Sequence, residues 1–255
     1  DGKSLSEKLG GERSVVPVGV SIGLKATDEL LHEAVQGYID DGYARVKIKI
    51  KPGRDVEMLA GLRERFPEVA FMADANSAYT LDDVTRLQEL DSLDLMMIEQ
   101  PLSYDDFLDH ARLQEHISTP VCLDESIKSE GDLALALELG SCRIVNIKPG
   151  RVGGLGVSRR LHDTMFERDL PVWCGGMLES GVGRAHNVAL ASLPGFTLPG
   201  DISASQRYWE RDIVVPEFEV EDGVMRVPDG VGLGVELDLD RIHGLTLREA
   251  SFGSV

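Results

Sequence analysis

The sequence predicts an α/β protein, a (β/α) barrel of the TIM type with a C-terminal appendage, and three observations carry that prediction. The chain has 255 residues, close to the size of one such barrel and long for a single sandwich. Short runs rich in Val and Ile alternate with longer amphipathic stretches, the pattern of βα units and a parallel sheet. Polar residues also recur at the ends of successive apolar runs, at intervals close to one βα unit.

In chain order, residues 1–14 read as a lead-in. Eight strand candidates then follow: Val16–Ile22, Arg45–Ile50, Ala70–Asn76, Met96–Gln100, Val121–Glu125, Ile144–Lys148, Val172–Cys174 and Phe196–Leu198. Between them lie helical patterns at Thr27–Asp40, with Thr27 as N-cap, and at Leu81–Leu90, Asp105–His116, Glu130–Leu139 and Leu155–Asp169. Gly42, Gly140 and the prolines at 67, 120 and 171 mark returns to the next strand. The barrel spans 15–205. Beyond about Ser205 the rhythm stops, and 206–255 forms a separate segment in which Glu217–Val227 reads as a hairpin around Glu221-Asp222-Gly223.

Composition excludes several classes. A net charge of -18 argues against nucleic acid as a partner, since such proteins set basic patches against phosphate. The chain is 42% hydrophobic and 27% charged and has no apolar run of bilayer length, so a soluble protein of the cytoplasm is expected. Its three cysteines are an odd number, and Cys122 and Cys174 fall inside apolar runs. That fits a reducing compartment better than a disulfide framework.

The chemistry is read from strand parity. In Val46-Lys47-Ile48-Lys49-Ile50 the apolar side chains point one way and the lysines the other, because a strand alternates faces. A barrel strand is apolar toward its helices, so Lys47 and Lys49 point inward. The same parity turns Asp74, Asn76, Glu99, Asp124, Asn146 and Lys148 inward. Lys49, Asp74, Glu99, Asp124 and Lys148 follow one another at intervals of 25, 25, 25 and 24 residues, which places them at one height around the C-terminal mouth, where barrel enzymes carry their active sites. Three converging carboxylates cannot all stay ionised without a cation. Oxygen-only ligands select Mg²⁺ or Mn²⁺ over zinc. The lysines are crowded by one another and by that cation, which favours a neutral, basic amine suited to removing a proton next to a substrate carboxylate.

Other signals are weaker. The glycines of 150–156 miss the dinucleotide fingerprint and read as a tight strand-to-helix turn. Gly175-Gly176-Met177 would let backbone amides approach a substrate carboxylate. His110, His116 and His162 fall on helical patterns and read as surface or packing residues.

Lys47-Ile48-Lys49, Asp74-Ala75-Asn76, Ile98-Glu99-Gln100-Pro101, Cys122-Leu123-Asp124-Glu125-Ser126 and the run from Asn146 to Gly154 together resemble the muconate-lactonizing-enzyme subgroup of the enolase superfamily. Trp173–Met177 and Leu198–Asp201 are most similar to members that form o-succinylbenzoate for menaquinone synthesis or racemise N-acylamino acids. The resemblance implies a (β/α)₇β barrel, with Asp74, Glu99 and Asp124 holding Mg²⁺. It implies Lys49 and Lys148 as opposed acid/base residues and Lys47 as an electrostatic aid. Asn76, Asn146, Gly176 and Met177 are the expected substrate contacts, and Arg151 is expected to modulate Lys148. The substrate is expected to be a small carboxylate and the assembly a homo-oligomer.

The family places an N-terminal capping domain before the segment that Ser4–Gly11 resembles, so an incomplete chain is expected. Val220, Val224, Met225 and Val227 are then expected to form an exposed apolar patch. The non-enzyme alternative is an inactive barrel or a subunit of a split enzyme. A metal-dependent hydrolase on the same barrel is a further alternative, disfavoured because such sites use histidine ligands.

Overall fold

The inward polar residues sit on strands that pair as the parity reading requires. In the computed structural model, which describes residues 1–250, seven parallel strands form one sheet in chain order. They are β1 (Gly19–Ile22), β2 (Arg45–Lys49), β3 (Phe71–Asp74), β4 (Ile98–Glu99), β5 (Val121–Leu123), β6 (Ile144–Ile147) and β7 (Val172–Cys174). Helices cover the outer face, several of them starting at a side-chain cap. Thr27 accepts from Leu30 N before Asp28–Asp40, and Ser129 accepts from Asp132 N before Glu130–Leu139. Leu31, Val35, Leu59, Leu62, Leu113 and Leu161 are fully buried against the strands.

The eighth strand candidate, Phe196–Leu198, is not a strand. Its amides are spent locally, Phe196 N on Leu193 O and Thr197 N on Gly195 O, and Pro199 has no amide to give. Residues 199–201 nevertheless close the barrel: Gly19 N donates to Gly200 O at 2.7 Å, and Asp201 N donates to Cys174 O at 2.9 Å. The expected Val16–Ile22 strand is broken in two. Val15–Pro17 leaves the barrel and pairs antiparallel with Val224–Arg226.

That pairing also corrects two expectations for the C-terminal segment. The hairpin reduces to a tight turn, with Asp222 and Gly223 in the left-handed region and Glu221 bridged to Val224. Because the following strand lies against Val15–Pro17, Met225 and Val227 are buried at 1% and 6% exposure rather than displayed. Val214–Val215 pairs with Glu236–Leu237, and a helix at Leu239–Leu245 was not anticipated. The lead-in is likewise ordered, as a helix at Leu5–Leu9 closed by a Ser4/Glu7 capping box.

Inside the barrel the side chains stack in layers. Met72, Met97, Cys122, Ile144 and Trp173 form an apolar floor. Lys47 and Asn146, in register with Met72 and Trp173, share its level, and Asp74 and Glu99 stand one layer higher, two residues beyond Met72 and Met97, all buried.

Candidate active site

Strand register fixes the mouth. Lys49 pairs with Asp74 and Asp74 with Glu99 in one hydrogen-bonded row, which continues to Cys122 and Ile144. Asp124 and Lys148 therefore stand two and four residues beyond that row. A shift of about one residue per strand is what barrel shear produces, so the staggered row becomes a level ring at the mouth.

The ring opens into a cavity of about 350 Å³ lined by Lys47, Lys49, Asp74, Asn76, Asp124, Glu125 and Lys148, with Gly176, Met177, Asp201, Ser203 and Tyr208 on the far wall. A groove of similar size lies along 215–235, but no ring of opposed charges converges there, and the mouth is the chemically equipped site. β2 and β6 are four positions apart in a cycle closed by 199–201, so Lys49 and Lys148 face each other across the cavity.

Each of the three carboxylates is anchored by one oxygen. Asp74 Oδ1 accepts from Asn76 N at 3.2 Å, Glu99 Oε1 from Asn146 Nδ2 at 2.7 Å, and Asp124 Oδ1 from Arg151. The second oxygen of each faces an ammonium. Lys49 and Lys47 lie 2.6 and 3.1 Å from Asp74 Oδ2, Lys47 lies 2.9 Å from Glu99 Oε2, and Lys148 lies 2.7 Å from Asp124 Oδ2. Among the described residues no three carboxylates stand as a ready metal cage, because lysine nitrogens occupy the space between them. The donor set still fits a hard divalent cation: three anchored carboxylates, each with one oxygen already held by a positive charge that such an ion would replace.

The electrostatics follow from burial. Glu99 is fully buried, and desolvation pushes its pKa up to about 8; Lys47 opposes this, while Asp74, Asp124 and Asp201 add to it. Burial also works against ionised Asp74, but Lys47 and Lys49 outweigh it and hold the pKa below the usual aspartate value.

Lys47 departs from the neutral amine that lysine crowding predicts. Burial disfavours its ammonium, yet Asp201, Glu99 and Asp74 together prevail and the pKa rises well above that of a free lysine. It is a fixed cation, 5.1 Å from the centre of the Trp173 ring.

The structure places the remaining expected residues unevenly. Asn76 lies at the mouth, accepting from Lys49 and donating to Glu125 Oε1 at 3.0 Å. Asn146, expected to touch substrate, is instead fully buried beneath the ring and orients Glu99. Gly176 lines the cavity, but the Met177 amide is committed to Glu179 Oε1 at 2.7 Å, and the Met177 side chain is exposed. The Arg151 guanidinium reaches Asp124, Ile127 O and Asn146 O; its backbone amide donates to Lys148 O at 3.0 Å, while the two side chains share the Asp124 carboxylate. His110 and His162 are buried packing residues away from the mouth, and His116 is exposed.

Sequence reasoning missed Asp201. One of its oxygens lies 2.7 Å from Arg45 and the other 2.7 Å from Lys47, so it binds the barrel seam to the ring. The signals were present. Arg45 shares the parity of Lys47, and Asp201 ends an apolar run as Asp74, Glu99 and Asp124 do. Glu125 was also missed as a site residue; its Oε2 is buried without a partner among the described residues.

A parallel barrel with this ring of opposed charges defines a (β/α) barrel that gathers its charged groups at the C-terminal mouth, the end where barrel enzymes carry their active sites. Residues 29–241 match the enolase C-terminal domain-like family, and the chain belongs to it. The o-succinylbenzoate synthase of Geobacillus kaustophilus is 56% identical over 245 residues, covering 96% of this chain and 65% of that protein. The N-succinylamino acid racemase of Thermus thermophilus is 52% identical over 246 residues, covering 96% of this chain and 67% of that protein. A solved enolase-superfamily structure from Listeria innocua superposes with a TM-score of 0.92 at 47% identity, over 95% of this chain and 66% of the other. This chain thus spans about 65% of the length of the Geobacillus relative.

Proposed function

We propose that this barrel removes a proton next to the carboxylate of a small substrate with the help of Mg²⁺, and that dehydration to o-succinylbenzoate, a step of menaquinone synthesis, is its principal reaction. The observation that carries the reading is the pair of lysines, Lys49 and Lys148, opposed across one cavity with three anchored carboxylates between them. Asp74, Glu99 and Asp124 would hold the ion, which when bound supplies positive charge to the substrate carboxylate as electrons move onto its oxygens.

The protein's own steps are then simple. One lysine takes the α-proton. The β-hydroxyl leaves with a proton returned by that same lysine, so water is the second product and no proton is gained or lost overall. The opposite lysine, as an ammonium, stabilises the negative charge in the interim. Buried Lys47 supplies further fixed positive charge from below.

The second reading is racemisation of N-succinylamino acids, and a specific observation favours keeping it. Both lysines line the cavity from opposite sides, so one could remove a proton from one face and the other return a proton to the opposite face. The 52% identity to the Thermus racemase points the same way. The deciding test is the pair of kcat/KM values for the cyclohexadiene precursor and for N-succinylamino acids. Dehydration is expected to dominate. A racemase value higher by more than about a hundredfold, or about 2.7 kcal/mol of differential transition-state binding, would make racemisation the principal reaction.

A further inference from the structure

We propose that Gln100 is the positioning residue that sets the three carboxylates relative to one another. The inference rests on the reading of Asp74, Glu99 and Asp124 as a magnesium site. Gln100 follows Glu99 directly, is fully buried, and has φ 40°, in the left-handed region where a side chain with a Cβ is strained. Such a conformation persists where the surroundings over-determine it, and here they do.

Its backbone N–H donates to Cys122 O at 2.8 Å, and its carbonyl accepts from Ser77 N at 2.8 Å. Its side-chain oxygen accepts from the backbone amides of Asp124 at 3.0 Å and Ser126 at 3.2 Å. Its side-chain nitrogen donates to Ser126 Oγ at 2.8 Å and Leu102 O at 3.2 Å.

One residue therefore ties together the ends of β3, β4 and β5, the strands that deliver the three carboxylates. The turn after Asp74 reaches it through Ser77, itself left-handed at φ 63°, and Asp124 hangs from its side chain by the main-chain amide. Both hydrogen-bonding ends of the amide are used, so neither an apolar isostere nor a shorter amide can replace it. Groups that orient metal ligands in this way change metal affinity by about tenfold to a hundredfold when removed.

The test uses the full 255-residue chain, with Gln100→Asn as the first variant. Asparagine tolerates the left-handed backbone but is one methylene too short to reach Asp124 N. Gln100→Leu is the second variant, and Leu161→Ala, a core truncation on the outer helix at Leu155–Phe166, controls for lost stability alone. Calorimetry with MgCl₂ and amide hydrogen exchange are read on each.

The expected result is magnesium affinity at least tenfold weaker in both Gln100 variants and unchanged in Leu161→Ala, with faster exchange at the Asp124 and Ser126 amides only in the Gln100 variants. Unchanged affinity and unchanged protection in Gln100→Asn would overturn the proposal, as would the same losses in Leu161→Ala. If wild type binds no magnesium, the metal reading fails. The exchange data then still decide whether Gln100 braces the strand ends.

Discussion

Gly175 is the position where one added methyl group should separate the two lysines functionally. It does not occupy the left-handed region, so alanine can adopt its backbone, and the obstacle is space alone. A Cβ there would collide with Asn146 Oδ1 and lie 2.7 Å from Lys148 Cγ and 2.6 Å from its Cε. Ordinary contact begins at about 3.4 Å, so Lys148 Cγ must retreat by about 0.7 Å, and the amine at the end of the chain moves with it. Displacements near 1 Å cost reacting groups about a hundredfold. Overpacking of this kind costs about 2 kcal/mol, or about 4–8 °C in Tm for a chain this size. The assay is α-proton exchange in D₂O with each enantiomer of an N-succinylamino acid, alongside a thermal melt. In Gly175→Ala the displaced Asn146 loosens Glu99 for both hands, and the hand whose proton faces Lys148 should lose about tenfold to a hundredfold more than the hand served by Lys49. Equal losses for both hands, or none, would refute the argument that Gly175 reserves space for Lys148.

Three further outcomes follow from the same contacts. Asp201 is largely withdrawn from water, at 12% exposure, and desolvation alone would raise its pKa, but Arg45 and Lys47 outweigh this and hold it below the usual aspartate range. Its contribution to stability is therefore fully present above about pH 4 and lost as the pH falls below that value. Asp201→Asn should lower Tm at pH 7 by about 6–12 °C, consistent with about 3 kcal/mol for a broken buried pair, and should flatten the acid limb of a Tm-versus-pH curve. Lys47, 5% exposed and within reach of three carboxylates, should be worth about 3 kcal/mol in urea unfolding of Lys47→Met, whereas Lys49, 29% exposed and paired with Asp74, should be worth under about 1 kcal/mol in Lys49→Met. All three cysteines are buried, and desolvation pushes the thiols up, that of Cys142 to about 12. A thiol reagent at pH 8 should find none in the native chain and three after denaturation.

Much of the barrel was legible because its two periods are short. Lys47 and Lys49 sit among Val46, Ile48 and Ile50, so period-two alternation fixes their direction without tertiary knowledge, and the interval of about 25 residues repeats that logic on the next strands. What was illegible depends on partners distant in sequence. Val15–Pro17 looks like the start of a barrel strand until its pairing with Val224–Arg226 is known. The segment at 199–201 closes the barrel with few ladder bonds because Pro199 cannot donate, so no strand pattern marks it. Asn146 has the right parity for the mouth but lies one layer too low, a distinction that register makes and alternation does not. The fixed charge of Lys47 likewise needed Asp201, which sequence places 154 residues away.

Two opposed lysines and a cation held by Asp74, Glu99 and Asp124 are proposed to act as one proton-transfer site. The most direct measurement is α-proton exchange in D₂O with both enantiomers of an N-succinylamino acid, in wild type, Lys49→Ala and Lys148→Ala, with MgCl₂ and after chelation. Exchange of both hands is expected in wild type only with magnesium, with loss of one hand in Lys49→Ala and of the other in Lys148→Ala. Exchange that survives chelation, or that disappears for the same hand in both variants, would contradict that proposal.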